Sequence, residues 1–135
     1  MIKFNKKFLL IIILTFLTII AFLTINKLLL KEHQEKVILN IDGKNYLLLT
    51  ARTDEERKKG LSGIKKLENA DGMVFYFESE SMPSFWNKNT YLNLEIIWIN
   101  NNKIIGRDFL PPENKAGLII KKAPKPIDKV VEIIR

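Results

Sequence analysis

The feature that most constrains this chain is an uninterrupted apolar segment close to its N-terminus. Residues 8–25 contain no charged side chain, and only three threonines interrupt the run. At about 1.5 Å per residue, a helix of this length spans roughly 27 Å, close to the thickness of the hydrocarbon core of a bilayer. The segment is apolar on every side, so it lacks the amphipathic stripe of a helix packed on a soluble core. The sequence therefore predicts a single N-terminal transmembrane helix.

We predict an uncleaved membrane anchor over residues 1–27 and a short stalk over residues 28–35. No small-x-small cleavage pattern follows the apolar run, and the lack of cysteine closes the lipoprotein route. A very short lysine-containing tail before the helix and a domain after it favour a cytoplasmic N-terminus. The expected location is the cell membrane, with one membrane pass and an extracytoplasmic C-terminal domain. A cleaved signal peptide is the alternative that the sequence leaves open.

The composition excludes several classes of chemistry. Without cysteine there are no disulfides, no catalytic thiol and no cysteine-ligated metal. The single histidine, His33, cannot supply a catalytic triad or a multi-histidine metal site. The net charge of +7 is spread along the chain without a basic stripe or a recognisable nucleic-acid module. We therefore expect no metal, no cofactor and no nucleic-acid partner.

Residues 36–135 are predicted to form one β-rich domain. Period-two alternation of aromatic, aliphatic and β-branched residues, separated by turn signals, is typical of strands. Such strands are expected at residues 37–41, 45–51, 73–77, 92–99, from 103 onward, at 118–120 and at 130–134. Asp42-Gly43 is a strong signal for a type I′ hairpin turn. Thr53, with Glu56 three residues later, predicts a capping box on a short helix that ends by Gly60.

The predicted fold class follows from this order of elements. Many short strands, one short helix and turn-rich connections over about a hundred residues indicate a mainly β protein. We expect a small β-sandwich or a flattened barrel, preceded by the transmembrane helix.

The segment F-W-N-K-N-T at residues 85–90 is the candidate binding site. It places two large aromatic residues and four hydrogen-bonding residues between strong strands, and polar loops on a rigid β scaffold often carry function. The aromatic residues can stack on a sugar ring or a peptide side chain, or belong to the core. The polar residues can bind a carboxylate or hydroxyl groups, or satisfy the loop's own backbone. The candidate residues are Phe85, Trp86, Asn87, Lys88, Asn89, Thr90 and Glu95.

Glu95 is included because a charge is out of place on its strand face. It shares that face with Ile97 and Ile99, and a buried carboxylate is costly unless it is paired or protonated. We predict that Glu95 points inward and holds the loop at residues 87–90, with Lys88 or an arginine as the counter-charge. A glutamate that reaches solvent at the end of its strand is the alternative.

Four sequence blocks together resemble a known family. They are T-D-E-E-R-K-K-G-L-S at 53–62, G-M-V-F-Y-F at 72–77, F-W-N-K-N-T at 85–90 and L-E-I-I-W-I at 94–99. In this order they resemble the uncharacterised bacterial and archaeal family called domain of unknown function 192, over about residues 37–134. The resemblance implies a small β-rich sandwich, often exported or anchored, and brings no established activity or catalytic residue. The family usually has methionine at the position of Asn87 and aspartate at that of Glu95.

The expected function is that of a membrane-anchored extracytoplasmic binding module without catalytic residues. Its ligand is expected to be a small molecule, an envelope glycan or a peptide. One alternative is a structural or assembly partner of another envelope protein, which would use an exposed sheet edge. A hydrolase that uses Glu95 with Lys88 ranks below both.

Overall fold

The computed structural model describes the backbone of residues 6–32 and 35–135, and the side chains of residues 6–26 and 35–135. The chain divides into two compact units, residues 1–34 and residues 35–135. Residues 1–5 of the predicted cytoplasmic tail, His33 and residue 34 of the predicted stalk lie outside the described residues.

The N-terminal unit contains one helix, α1, at Lys6–Glu32. Its apolar part, Lys6–Asn26, is 21 residues long, which corresponds to about 31 Å and is sufficient to cross a membrane. The hydroxyl groups of Thr15, Thr18 and Thr24 each donate to the carbonyl three residues earlier, at 2.8–2.9 Å. The polar groups inside the apolar run are therefore satisfied within the helix, as a lipid environment requires. By length and composition, such a helix near an N-terminus can serve as a membrane anchor or as a signal sequence.

The C-terminal unit is mainly β, which confirms the predicted fold class. Its elements are β1 Lys36–Ile41, β2 Lys44–Ala51, α2 Asp54–Lys59, β3 Gly72–Ser81, β4 Ser84–Trp86, β5 Leu94–Asn100, β6 Lys103–Leu110, α3 Glu113–Ala116, β7 Ile120–Lys122 and β8 Ile127–Ile134.

Six of these strands form one curled sheet in the order β1-β2-β3-β8-β5-β6. All neighbours are antiparallel except β2 and β3, which run parallel. A parallel pair needs a long crossover, and α2 lies within it. Arg107 on β6 forms an ion pair with Asp42 in the β1–β2 turn, so the two ends of the sheet approach each other. The sheet thus resembles an open, flattened barrel. Strands β4 and β7 form a separate two-stranded ribbon.

Two apolar clusters fill the two faces of the sheet. The ribbon-side core contains Leu49, Ala51, Leu61, Met73, Phe75, Leu94, Ile96, Trp98, Leu110, Ala123, Ile127 and Val130, with Phe85 of the ribbon packed against it. The far-side core contains Ile41, Tyr46, Leu48, Val74, Ile97, Ile99, Val131 and Ile133. Because both faces of the central strands are covered, those strands are apolar on both sides.

Both hairpin turns have the backbone that their sequences indicate. Asp42 and Gly43 have φ values of 52° and 82°, and Asn101 and Asn102 have 49° and 60°. Two successive residues with positive φ are what a type I′ turn requires.

Helix α2 begins with the predicted capping box. The Thr53 side chain accepts from the Glu56 amide at 3.2 Å, and the Glu56 carboxylate accepts from the Thr53 amide at 3.0 Å. The helix ends at Lys59, before Gly60, as predicted.

The structure also differs from the predicted elements in places. Strand β3 continues through Ser81, so Glu78 and Glu80 are exposed strand residues. Helix α3 was not predicted, because Pro111-Pro112 in front of it indicates an irregular connection. The predicted edge strand at 118–120 is instead β7, which begins at Ile120.

Candidate functional site

A pocket of about 210 Å³ lies between the ribbon, helix α2 and the ribbon-side face of the sheet. Its apolar lining consists of Leu61, Phe75, Phe77, Pro83, Phe85 and Trp86. Its charged lining consists of Asp54, Arg57, Lys58, Lys59, Lys88 and Glu132. Gly60, Ser62, Ser84 and Thr90 complete it. Apolar walls with a few convergent polar groups are the usual composition of a ligand pocket.

Glu132 is the most unusual residue of this pocket. It lies on β8 opposite Met73 on β3 and Ile96 on β5, so its side chain is on the ribbon-side face. Only 4% of its surface is exposed. Within residues 35–135, no hydrogen bond or ion pair reaches its carboxyl group. The carboxyl oxygens are not among the fully buried side-chain atoms that lack a partner, so they reach the pocket. A carboxyl group that is mostly buried and opens into a pocket marks a candidate functional position.

Burial determines the protonation state of this carboxyl group. Removal from water disfavours the charged form and raises the pKa of Glu132 to about 8. At neutral pH the group is therefore mostly a neutral carboxylic acid, which can donate one hydrogen bond and accept others.

The charged residues around the pocket fall into two groups. Arg57 forms an ion pair with Asp54 at 2.5 Å, donates to the Tyr76 carbonyl at 2.8 Å, and lies over the Phe77 ring at 5.4 Å. Lys58, Lys59 and Lys88 are exposed, and within the described residues none of them forms an ion pair. We call these three lysines the lysine rim of the pocket.

The ribbon supplies the aromatic wall. The Phe85 ring meets the rings of Phe75 and Trp98 edge to face, with centroids 4.8 and 5.7 Å apart, so Phe85 joins ribbon to core. Trp86, the next residue, is 51% exposed at the pocket mouth.

Asn87 fixes the ribbon in place through its side chain. It is fully buried, and its Nδ2 donates to the carbonyls of Pro111 and Gly117, both at 2.8 Å. Its Oδ1 accepts from the Ile119 amide at 2.7 Å. Both N–H groups and the oxygen of this amide are bonded within the protein, and Asn87 does not line the pocket.

Asn89 and Thr90 hold the loop together in a similar way. The Asn89 amide donates to the Glu113 carboxylate at 2.6 Å, and its carbonyl accepts from Gly63 at 2.8 Å. Thr90 is buried, and its carbonyl accepts from the Glu113 amide at 3.1 Å. These hydrogen bonds join the loop backbone to Gly63 and Glu113, so Asn89 and Thr90 help to fix the loop to the rest of the domain.

The predicted clamp between Glu95 and this loop is not what the structure shows. Glu95 lies opposite Ile133, on the far-side face, where its two carboxylate oxygens accept from Arg107 and Arg135. Burial alone would raise the pKa of Glu95, but the hydrogen bonds from Arg135 and Arg107 outweigh it and lower the pKa. The counter-charge is an arginine pair, and Lys88 lies at the pocket on the other face.

The structure thus gathers only some of the predicted site residues. Phe85, Trp86, Lys88 and Thr90 line the pocket, while Asn87, Asn89 and Glu95 do not. A role in ligand binding stays a prediction for all seven of these residues. The residue that sequence reasoning missed is Glu132, although a lone carboxylate in V-V-E-I-I gives the same signal as Glu95. Within the described residues, no three Asp, Glu or His side chains converge on a metal-binding position.

Comparison with known proteins places the β domain in a family. Residues 37–135 match the model of DUF192, described as "Uncharacterized ACR". The chain belongs to the DUF192 family. No curated protein matches the sequence.

Two crystal structures share the fold of this chain. A Sinorhizobium meliloti protein described as a candidate transcription regulator is 25% identical, with a TM-score of 0.59 over 72% of this chain and 76% of that one. A protein of unknown function from Novosphingobium aromaticivorans is 23% identical, with a TM-score of 0.57 over 76% of this chain and 83% of that one. These similarities support the fold and leave the ligand open.

Replacing Asn87 by alanine should destabilise the domain by about 3 kcal/mol or more, because two carbonyls and one amide lose their buried partner. Denaturant melts of the full chain in mild detergent, followed by tryptophan fluorescence, measure this change. The exposed neighbour provides the control, since Lys88→Ala should change stability by no more than about 0.5 kcal/mol. Equal effects of the two substitutions would show that Asn87 does not hold the ribbon.

Glu132 should make the β domain less stable as the pH rises. Between pH 4.5, the ordinary pKa, and about 8, the folded state keeps a proton that the unfolded state has lost. The free energy of unfolding therefore falls with rising pH, by about 4–5 kcal/mol in total. Glu132→Gln should remove this slope and be more stable than the wild type near pH 8, in denaturant melts from pH 5 to 8.

Glu95→Gln is the matched control for that experiment. The lowered pKa of Glu95 gives stability that is present above its ordinary pKa and lost only in more acidic solution. Its melts should therefore run parallel to those of the wild type from pH 5 to 8, at lower stability. A Glu132→Gln profile that is also parallel to the wild type would contradict the proposed protonation of Glu132.

Proposed function

We propose that this protein is a membrane-anchored, extracytoplasmic binding module that holds a small ligand in the pocket beneath the ribbon. Glu132 carries the proposal. A buried carboxyl group without a protein partner costs free energy, and a ligand that bonds to it would offset that cost. Its position in a pocket with aromatic walls supports a binding site rather than a packing defect.

The size of the pocket favours a small molecule over a glycan or a peptide. An apolar cavity of about 150 Å³ in another protein holds one benzene molecule. A volume of about 210 Å³ therefore has room for one ring and a substituent. Pockets for drug-sized ligands are larger, at about 300–1,000 Å³. An extended chain would have to lie mostly outside the pocket.

The pocket also favours binding over hydrolysis. Glycoside hydrolysis needs two carboxyl groups on either side of the scissile bond. The second carboxylate at this pocket, Asp54, is paired with Arg57, and Glu95 lies on the other face of the sheet. Glu132 alone can bind and orient a ligand.

Helix α1 supports the membrane location. Its 21-residue apolar span fits a bilayer, and its threonine hydroxyls are satisfied within the helix. We propose that it remains attached as a single-pass anchor, with the β domain on the extracytoplasmic side. A cleaved signal sequence would give the same domain without the anchor.

A second candidate function is assembly with another envelope protein. Trp86 on β4 and Ile120 on β7 are paired across the ribbon. Trp86 is 51% exposed, and Ile120 and Leu118 are each 57% exposed. Adjacent exposed apolar residues often mark a protein interface. Three residues are far fewer than the roughly 20–30 that each partner contributes to a standard interface, so ligand binding remains the first proposal.

If α1 is an anchor, the protein should stay with the membrane fraction after washing with high salt and with alkaline carbonate, because the apolar span is held by the hydrophobic effect. Mass spectrometry of the extracted protein should find the N-terminus intact. A mature N-terminus beyond residue 25 would establish cleavage instead, and release by salt alone would exclude an anchor.

The pocket should bind water-soluble fragments of about 6–12 non-hydrogen atoms, which is the size that its volume admits. Saturation-transfer NMR on the full chain in lipid nanodiscs, with empty nanodiscs subtracted, detects such binding. Ser84→Trp places a large side chain in the pocket lining and should weaken every genuine fragment at least tenfold.

Ser79→Trp is the matched control, since Ser79 is an exposed residue of β3 that does not line the pocket. It should leave fragment binding unchanged. The proposed function would be contradicted if no fragment bound, or if Ser84→Trp left the binding of every fragment unchanged.

A further inference from the structure

The charge balance of the pocket indicates which ligands it accepts. Arg57 and Asp54 neutralise each other, and Glu132 is held neutral by burial near pH 7. The lysine rim then leaves three positive charges facing one small opening. A cationic ligand would be repelled by this rim, whereas an anionic group would find three ammonium donors within the same opening.

Glu132, at the floor of the pocket, is also compatible with an anionic ligand. A neutral carboxylic acid can donate a hydrogen bond to an acceptor on the ligand. The charged residues that line the pocket together with Glu132 are Asp54, Arg57, Lys58 and Lys59 from α2 and Lys88 from the loop after β4.

The aromatic and aliphatic walls of the pocket favour a ligand with an apolar part. Phe75, Phe77, Phe85 and Leu61 surround the interior, and Trp86 covers one side of the mouth. Burial of about one ring on such walls is favourable by the hydrophobic effect, and the ring faces can stack.

We infer that the ligand of this pocket is a small organic anion, with a single ring or short branched chain as its apolar body and a carboxylate or phosphate as its charged group. The lysine rim holds the charged group, the aromatic walls hold the body, and Glu132 donates a hydrogen bond from the floor. This inference rests on the proposed function, because it assigns the ligand class of the same pocket.

Four probes of nearly equal size test the inference. Benzoate and phenyl phosphate carry the two anionic groups, benzyl alcohol is neutral and benzylamine is cationic. Isothermal titration calorimetry of the full chain in lipid nanodiscs measures each affinity, with empty nanodiscs as the reference. We expect at least one of the two anions to bind roughly tenfold or more tightly than the alcohol and the amine, and the tighter anion identifies the charged group.

Two double variants with the same net charge test the lysine rim. Lys58→Gln/Lys88→Gln removes two lysines of the rim, while Lys115→Gln/Lys125→Gln removes two exposed lysines elsewhere on the domain. The first should weaken binding of the preferred anion about tenfold and leave benzyl alcohol within about twofold. The second should change neither. Equal loss of anion binding in both variants would mean that only the overall charge of the domain matters, and would overturn the inference.

The dependence on pH tests the floor. In the wild type, anion affinity should fall as the pH rises through 8, because Glu132 loses the donated proton and becomes a like charge. Glu132→Gln should bind the anion with an affinity that does not change between about pH 7.5 and 9, a range in which neither anionic probe changes its charge.

Failure of this inference can be distinguished from failure of the proposed function. Benzyl alcohol or benzylamine binding as tightly as both anions, and weakened by Ser84→Trp, would overturn the anion preference and keep the pocket as a binding site. Absence of binding by both anions up to millimolar concentration would also overturn it. The proposed function fails only if no fragment of any charge binds in a manner that Ser84→Trp weakens.

Discussion

The three hydrogen bonds of the Asn87 side chain are the interaction on which the pocket depends. The ribbon of β4 and β7 has only two strands, and an isolated pair of this kind is marginal in water. Asn87 connects β4 to the segments before and after α3, while Phe85 packs on Phe75 and Trp98. Polar and apolar contacts together hold the ribbon above the sheet. The space left between ribbon, α2 and sheet is the pocket.

Two glutamates on neighbouring strands of one sheet show how the environment decides the state of a carboxyl group. Glu95 faces the far side, accepts from Arg107 and Arg135, and is held ionised. Glu132 faces the ribbon side, has no such partner among the described residues, and is held neutral. The first arrangement stabilises the fold at neutral pH. The second destabilises it as the pH rises, and a destabilising group kept inside a pocket is a sign of function.

Local signals in the sequence were sufficient to predict most of the fold. The Asp42-Gly43 turn, the Thr53–Glu56 capping box and the alternating strands depend on neighbouring residues, so their patterns are visible in the chain. The pairing of β4 with β7, and of β2 with β3 in parallel, depends on residues far apart and has no local pattern. The same limit applies to the roles of the candidate site residues. Asn87 and Glu95 have their partners 12 to 40 residues away, so their roles were open in the sequence.

The missed residue follows from a related cause. Strand faces can be read from alternation, and Glu132 and Glu95 each stand as single acids on apolar strands. The two glutamates differ in what lies over their side chains, which is an arginine pair for Glu95 and the pocket for Glu132. This difference depends on how α2 and the ribbon are placed over the sheet. The same placement links ligand binding to folding. A ligand that bonds to neutral Glu132 binds only the folded state, so it should add stability according to its concentration relative to its dissociation constant. The free energy lost by burying this carboxyl group would then be recovered when the pocket is occupied, which couples the stability of the domain to the presence of its ligand.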